Sequence, residues 1–296
     1  MDSLKPITLL APTQSQATEA MKKQLPPFQF YNQVRFEKEP AAWMHYDEEI
    51  RSFRGWCERD GMVEEGEAFI ASFMESEEGK AYKAQKIEVA RAELWGYVSA
   101  AGVSDRYRDK VLKTYKTDLA GQRKAKDAVE AIAGNNNSAA MLVLYGPPGT
   151  GKTHLGAAAI YERYMKNGCR EFSKGAKLAR IGTQAGIARR VRNTYGEGAS
   201  ETEREVMREL TGCGLLVVDE IGAGSGTDHE KQVLCDILCE RYNGKKATIM
   251  ISNLTIDGLK SALGDRVMDR INEDPGSGFL LMNWPSQRAA QKAGTA

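Results

Sequence analysis

Eight consecutive residues, Gly146-Pro147-Pro148-Gly149-Thr150-Gly151-Lys152-Thr153, restrict this chain more than any other feature. They fill every fixed position of G-x-x-x-x-G-K-[ST], the Walker A loop. Glycines there let successive backbone N–H groups turn inward around phosphate with no side chain in the way. The pattern brings Lys152 to the β- and γ-phosphates of a nucleoside triphosphate and the Thr153 hydroxyl to magnesium. The flanks agree: Met141 to Tyr145 reads as a buried strand, and His154 to Lys166 as a helix stopped by Asn167 and Gly168. Such a helix aims the positive end of its dipole at bound phosphate. The expected ATP-binding set is therefore Gly146, Pro147, Pro148, Gly149, Thr150, Gly151, Lys152, Thr153 and His154.

A chain of 296 residues can hold one sizeable core and a smaller appended region. Its 41 basic and 40 acidic residues nearly cancel, which excludes nucleic-acid binding by bulk charge and leaves only local patches. The five cysteines are odd in number and form no C-x-x-C pair. They read as thiols kept in a reducing compartment, with Cys235 and Cys239 on one helix face. His45 and His229 add no metal-ligand pair. No apolar run approaches the roughly 20 residues of a membrane span, and the N-terminus lacks a signal-peptide core. The expectation is a soluble, cytoplasmic protein with no membrane partner.

Three regions are expected: residues 1–62, an irregular extension; 63–103, a helical region and linker; and 104–296, the nucleotide-binding domain. The second region opens in a strongly acidic stretch in which Phe69, Ile70 and Phe73 sit at helical spacing. Outside the nucleotide-binding core, that stripe reads as interior packing or as a partner-binding helix. A helix from about 122 to 133 precedes the Walker A strand. After the loop, strand and helix signals alternate: a weak strand near 177–182, a helix at 184–193, and a helix starting at the capping box Ser200 to Glu203 and ending at Gly212. The strand 215–218, a helix at 229–242 and the strand 247–252 follow. This alternation predicts an α/β fold, a parallel sheet flanked by helices.

Leu215-Leu216-Val217-Val218-Asp219-Glu220 has the form of a Walker B strand, four apolar residues delivering two carboxylates to its carboxyl end. Asp219 is expected to hold magnesium and Glu220 to polarise the attacking water. Asn253, just past the next strand, can orient that water beside the γ-phosphate, an arrangement found in AAA+ ATPases. Arg266 and Arg270 lie four apart and share one helix face. One of them is expected to act as an arginine finger on a neighbouring subunit's nucleotide. Few residues follow Asn253; after a short helix, Gly278 to Asn283 reads as a final strand. A C-terminal helical lid is therefore not expected. Arg189, Arg190 and Arg192, followed by Tyr195, form a basic run in which cations can neutralise phosphates and an aromatic ring can stack on a base.

Taken together, these residues resemble the DnaC-type bacterial helicase loaders over about residues 64–290. The resemblance rests on the Walker A loop, on Asp219-Glu220-Ile221-Gly222, on Glu230-Lys231, on Gly264 to Arg270 and on Asn283-Trp284-Pro285-Ser286-Gln287-Arg288. It implies a lidless AAA+ P-loop ATPase core with a mainly helical N-terminal region. It also implies an ATP- and Mg2+-dependent loader that binds a hexameric replicative helicase, self-associates as a spiral and delivers the ring onto single-stranded DNA. By resemblance, Arg270 matches the finger, with Arg266 close enough to keep that assignment open, and Arg288 matches an arginine that contacts nucleotide. Glu67, Phe69, Ile70 and Phe73 match the helicase-binding segment. The run at Arg189–Tyr195 and the loop carrying Thr227 and His229 match DNA-facing elements. The alternative is an IstB-type transposition ATPase, which would prefer duplex DNA.

Overall fold

The computed structural model describes residues 63–134, 140–167, 178–196, 198–223 and 227–286, with scattered positions between 50 and 61. They fall into two compact units that divide between Glu93 and Leu94.

The first unit carries α1 (Val63–Glu75) and most of α2 (Glu77–Ala100). Ser76 separates them: its hydroxyl donates to the Phe73 carbonyl at 2.6 Å and accepts the Gly79 N–H at 3.1 Å. One helix is thereby closed and the next capped by a single side chain. Helical backbone also reaches back to Ile50, Arg54–Gly55 and Cys57–Arg59, so the irregular reading of 1–62 is corrected at these positions. The rest of that extension lies outside the described residues.

The second unit is built on five parallel strands: β1 (Met141–Tyr145), β2 (Ala179–Thr183), β3 (Leu215–Ile221), β4 (Ala247–Ser252) and β5 (Gly278–Leu281), in spatial order β2-β3-β4-β1-β5. Its helices are α3 (Ala120–Gly134), α4 (Lys152–Asn167), α5 (Gln184–Arg192), α6 (Glu203–Gly212), α7 (Asp228–Asn243), α8 (Ile256–Leu263) and α9 (Asp265–Glu273). Successive strand side chains point to opposite faces, and both faces are buried, as a parallel sheet requires. Leu142, Leu144, Leu215, Val217, Ile249 and Ile251 meet α3, α4 and the end of α2. Met141, Val143, Leu216, Val218 and Met250 meet α5 to α9. Near-continuous apolar runs are the consequence of this two-sided burial.

Several element boundaries differ from expectation by a few residues, and two of them are informative. Thr202 and Glu205, not Ser200 and Glu203, form the capping box of α6: the Thr202 hydroxyl accepts the Glu205 N–H, and the Glu205 carboxylate accepts the Thr202 N–H at 2.8 Å. Both spacings satisfy the motif; the helix that buries Val206 and Leu210 starts at Glu203. The last strand ends at Leu281 rather than Asn283.

Charged side chains tie this layer together. Arg241 on α7 is fully buried with no carboxylate partner among the described residues; its guanidinium donates to the carbonyls of Leu210 and Cys213, at 2.8 and 3.0 Å, and to the Thr248 hydroxyl at 2.9 Å. It thus closes the C-terminal end of α6, where carbonyls lack helical partners. Glu209 on α6 receives Arg180 from β2 and Arg190 from α5. Burial by itself would raise the Glu209 pKa, but hydrogen bonds from Arg190 and Arg180 outweigh it and hold the carboxyl down at about 2. A depressed carboxyl stabilises the fold above its unfolded pKa near 4.5 and loses that contribution as pH falls toward 2. Glu209→Gln should therefore lower the Tm at pH 7 and flatten the decline in Tm between pH 4.5 and 2, read by calorimetry across that range.

Candidate nucleotide and DNA site

Lys152, Glu220 and Asn253 lie at the carboxyl ends of adjacent strands, because β1 pairs with β4 and β4 with β3. Tyr145 and Ile221 are both registered on Ser252. The Ser252 hydroxyl donates to the Ile221 carbonyl at 2.7 Å and accepts the Leu254 N–H at 3.1 Å, which fixes the turn carrying Asn253. Asn253 itself is exposed at the strand end.

The Walker A loop wraps its own lysine. The Lys152 ammonium is buried and donates to the Gly146 and Pro147 carbonyls at 2.8 and 2.7 Å. A triphosphate would replace these neutral acceptors with anionic ones, and charge-assisted bonds are roughly twice as strong. Thr150, within the loop, is fully buried, and the Thr153 hydroxyl stands near enough to Asp219 to favour its carboxylate form. Asp219 is buried, and that burial raises its pKa against the opposing bonds from Thr153 and the Glu220 N–H, the latter at 2.7 Å. A hydroxyl beside a buried carboxylate is a hard-oxygen donor set of the kind magnesium takes.

Glu220 breaks the strand it sits in. It is the exposed residue in β3, at an irregularity between Val218 and Ile221, with φ of 56°. Left-handed backbone at a side-chain-bearing residue costs on the order of 1–3 kcal/mol and persists where surroundings impose it. Here Gln184, buried at the start of α5, accepts the Gly222 N–H at 2.9 Å and pins the turn. The sequence pattern carried no signal for Gln184, since its partner is a backbone group distant along the chain. The segment before α3 was also missed. The Tyr115 ring meets His154 edge-on at 5.2 Å, and His154 Nε2 lies 3.2 Å from the Val111 carbonyl. Burial lowers the His154 pKa, which keeps the ring neutral at pH 7.

Arg266 and Arg270 lie on α9, whose opposite face is buried through Val267, Met268 and Ile271. Arg266 is exposed; the Arg270 guanidinium packs 5.1 Å above the Tyr242 ring, with Nη1 lacking a hydrogen-bond partner among the described residues. Arg288 lies outside the described residues.

The basic run does not act as one surface. Arg189 and Arg192 are exposed and Tyr195 is 58 % exposed, but Arg190 is committed to Glu201 and Glu209 at 2.5 and 3.0 Å. These carboxylates, Glu201 foremost, raise its pKa further. Arg190 is therefore removed from the expected DNA-facing set. Tyr195 meets His229 at 6.2 Å, which joins the end of α5 to the start of α7. Thr227 caps α7, its hydroxyl accepting the Glu230 N–H at 3.3 Å. In the N-terminal unit, Ile70 and Phe73 are each only 4 % exposed, so they are packed inside the chain rather than presented to a partner. The helical spacing that marked them is the spacing of an interior stripe. Phe69 is half-buried, and Glu67 is exposed and paired with Arg54 at 2.6 Å.

The profile of a family described as IstB-like ATP binding protein matches residues 110–272. The replicative helicase loader DnaC of Buchnera aphidicola subsp. Baizongia pistaciae is 31% identical over 245 residues, spanning 82% of this chain and 87% of that protein. The Escherichia coli K12 loader of the same name is 31% identical over 193 residues, 64% of this chain and 73% of its own length. Among solved structures, a DnaC helicase loader superposes with a TM-score of 0.51 at 24% identity, covering 60% of this chain and 99% of that one. AMPPCP-bound DnaA from Aquifex aeolicus gives 0.50 at 22% identity, over 66% of this chain and 56% of DnaA. These two likenesses establish the fold. Lys152→Ala should weaken ATP binding on the order of 100-fold with little change in Tm, measured by titration calorimetry.

Proposed function

Since the chain belongs to the IstB-like ATP-binding family, among its DnaC-type replicative helicase loaders, we propose that it hydrolyses ATP to place a hexameric helicase on single-stranded DNA. The observation that carries this reading is the junction of Tyr195 with His229. It ties the end of α5, the helix that carries exposed Arg189 and Arg192, to the start of α7, the helix that follows the Walker B strand in the chain.

In the proposed mechanism Lys152 and the loop N–H groups bind the triphosphate. Glu220 accepts a proton from the attacking water while Asn253 orients it. Thr153 and Asp219 would hold magnesium, which supplies countercharge to the phosphates. Arg270, with a guanidinium nitrogen lacking a partner among the described residues, reaches the nucleotide of an adjacent protomer in a spiral; exposed Arg266 lies one helical turn away. The N-terminal unit binds the helicase. Because Ile70 and Phe73 are buried, that contact falls to surface positions of the unit, Glu67 and the exposed face of Phe69 among them. The transposition reading shares the ATP site and differs in preferring duplex DNA.

Mixing the protein with ring helicases should give an ATP-dependent complex that releases on hydrolysis. Glu220→Gln should bind ATP normally, slow turnover on the order of 100-fold and trap that complex. No complex with any ring helicase would defeat the proposal. Separately, Arg189→Ala/Arg192→Ala should lower single-strand affinity several-fold and reduce its salt dependence. Tyr195→Ala should cost about 1–3 kcal/mol of stacking, while Arg190→Ala should act mainly on Tm. Fluorescence anisotropy with single- and double-stranded oligonucleotides separates these outcomes, and a preference for duplex would favour the transposition reading.

A further inference from the structure

The block Asn283-Trp284-Pro285-Ser286 has no role in the site as described above, yet it lies directly beneath the Walker A loop. The Met282 N–H donates to the Tyr145 carbonyl at 2.8 Å, carrying the β1–β5 pairing one residue past the strand. The chain leaving β5 therefore runs alongside the chain leaving β1. A Cβ on Gly146 would stand 2.6 Å from the Met282 carbonyl oxygen, and one on Gly149 would stand 2.0 Å from the Ser286 hydroxyl. The two glycines, with φ of 129° and 85°, are thus required by the chain below the loop as well as by phosphate above it. Trp284 is 7 % exposed, and its indole N–H donates to the Thr150 carbonyl at 2.9 Å. Tyr115, from the segment before α3, sends its hydroxyl to the same oxygen at 3.3 Å. Burial pushes the Tyr115 phenol up, so it remains a protonated donor at any working pH.

A trans peptide carries its C=O and its N–H on opposite sides. Trp284 and Tyr115 both belong to the core layer under the loop. The Thr150 carbonyl is drawn down into that layer, so the Gly151 N–H of the same peptide faces the opposite way, toward the loop's phosphate-binding side. A Cβ on Gly151 would meet the Tyr115 ring at 2.8 Å, which keeps this peptide close against its support.

We propose that Trp284 and Tyr115 are positioning residues for nucleotide binding: their hydrogen bonds to one carbonyl set the peptide that offers the Gly151 N–H to a phosphate oxygen. Neither side chain touches nucleotide in this role. The inference rests on the loop being an ATP site, which the family assignment supplies. It gives the Asn-Trp-x-Ser block a function in phosphate binding, exerted from below the loop.

Trp284→Phe keeps the ring and removes the donor. The Kd values for ATP and ADP should each rise about tenfold, equivalent to about 1.4 kcal/mol. Tyr115→Phe, which removes the longer bond, should raise them less. The combined variant should raise them by more than the product of the two, because the second deletion leaves a buried carbonyl with no donor. In steady state the loss should appear in KM for ATP with kcat little changed, as expected for uniform binding. A purely structural role would lower Tm and leave the affinity of the folded protein intact. Wild-type affinity in Trp284→Phe and in the double variant overturns the proposal, as does a loss that follows the unfolded fraction alone. If wild-type protein and Lys152→Ala are alike in ignoring ATP, the nucleotide assignment itself fails, and that result is distinct from a wild-type protein that binds ATP and is indifferent to Trp284.

Discussion

Ser252 is the joint on which the carboxyl end of the sheet, with its candidate nucleotide site, is assembled. It is the last residue of the central strand β4, and it stands in register with Tyr145 on one side and Ile221 on the other. Its hydroxyl bridges the Ile221 carbonyl and the Leu254 N–H, so the turn after Walker B and the turn carrying Asn253 share one anchor. A phosphate-binding loop, two acidic side chains and a polar amide are thereby collected from three separate stretches of chain. Parallel pairing does this as a matter of geometry, since all its strands end on the same edge.

That edge stores strain at Glu220. The residue takes a left-handed backbone and points out of the strand, whereas Asp219 beside it stays buried. Adjacent carboxylates are in this way given different surroundings: one is held in the interior against Thr153 and its own strand, the other faces solvent where a water can stand. The Asp219 carboxylate accepting the Glu220 N–H and Gln184 accepting the Gly222 N–H hold the backbone on either side of the strained position. Such support over-determines a conformation that a free peptide would leave.

Charge is divided in a similar way between the interior and the surface. Of three arginines close in sequence, Arg190 turns inward to Glu201 and Glu209, whereas Arg189 and Arg192 reach solvent. A helix of 3.6 residues per turn separates neighbours onto different faces, so a run of like residues in the chain is not a patch on the surface. Arg180 and Arg190 converging on Glu209 bind β2, α5 and α6 into one body. The exposed arginines then stand on a fixed base, joined to α7 through Tyr195 and His229.

The residues alone determined the nucleotide loop, the order of strands and helices and the carboxylates of the Walker B strand. Each of these depends on local spacing: glycine and lysine at fixed offsets, or four apolar residues ending in acids. Strand 247–252 and the helix stop at Gly212 were legible for the same reason. Only tertiary structure decided the rest. It chose Thr202 over Ser200 as the cap of α6, turned Arg190 inward, and buried Ile70 and Phe73. It also brought Gln184, Tyr115 and Trp284 to the site, each bonded to a backbone group dozens of residues away. A sequence pattern records which face a residue occupies along its own element; it does not record which distant carbonyl or N–H the folded chain will place opposite it.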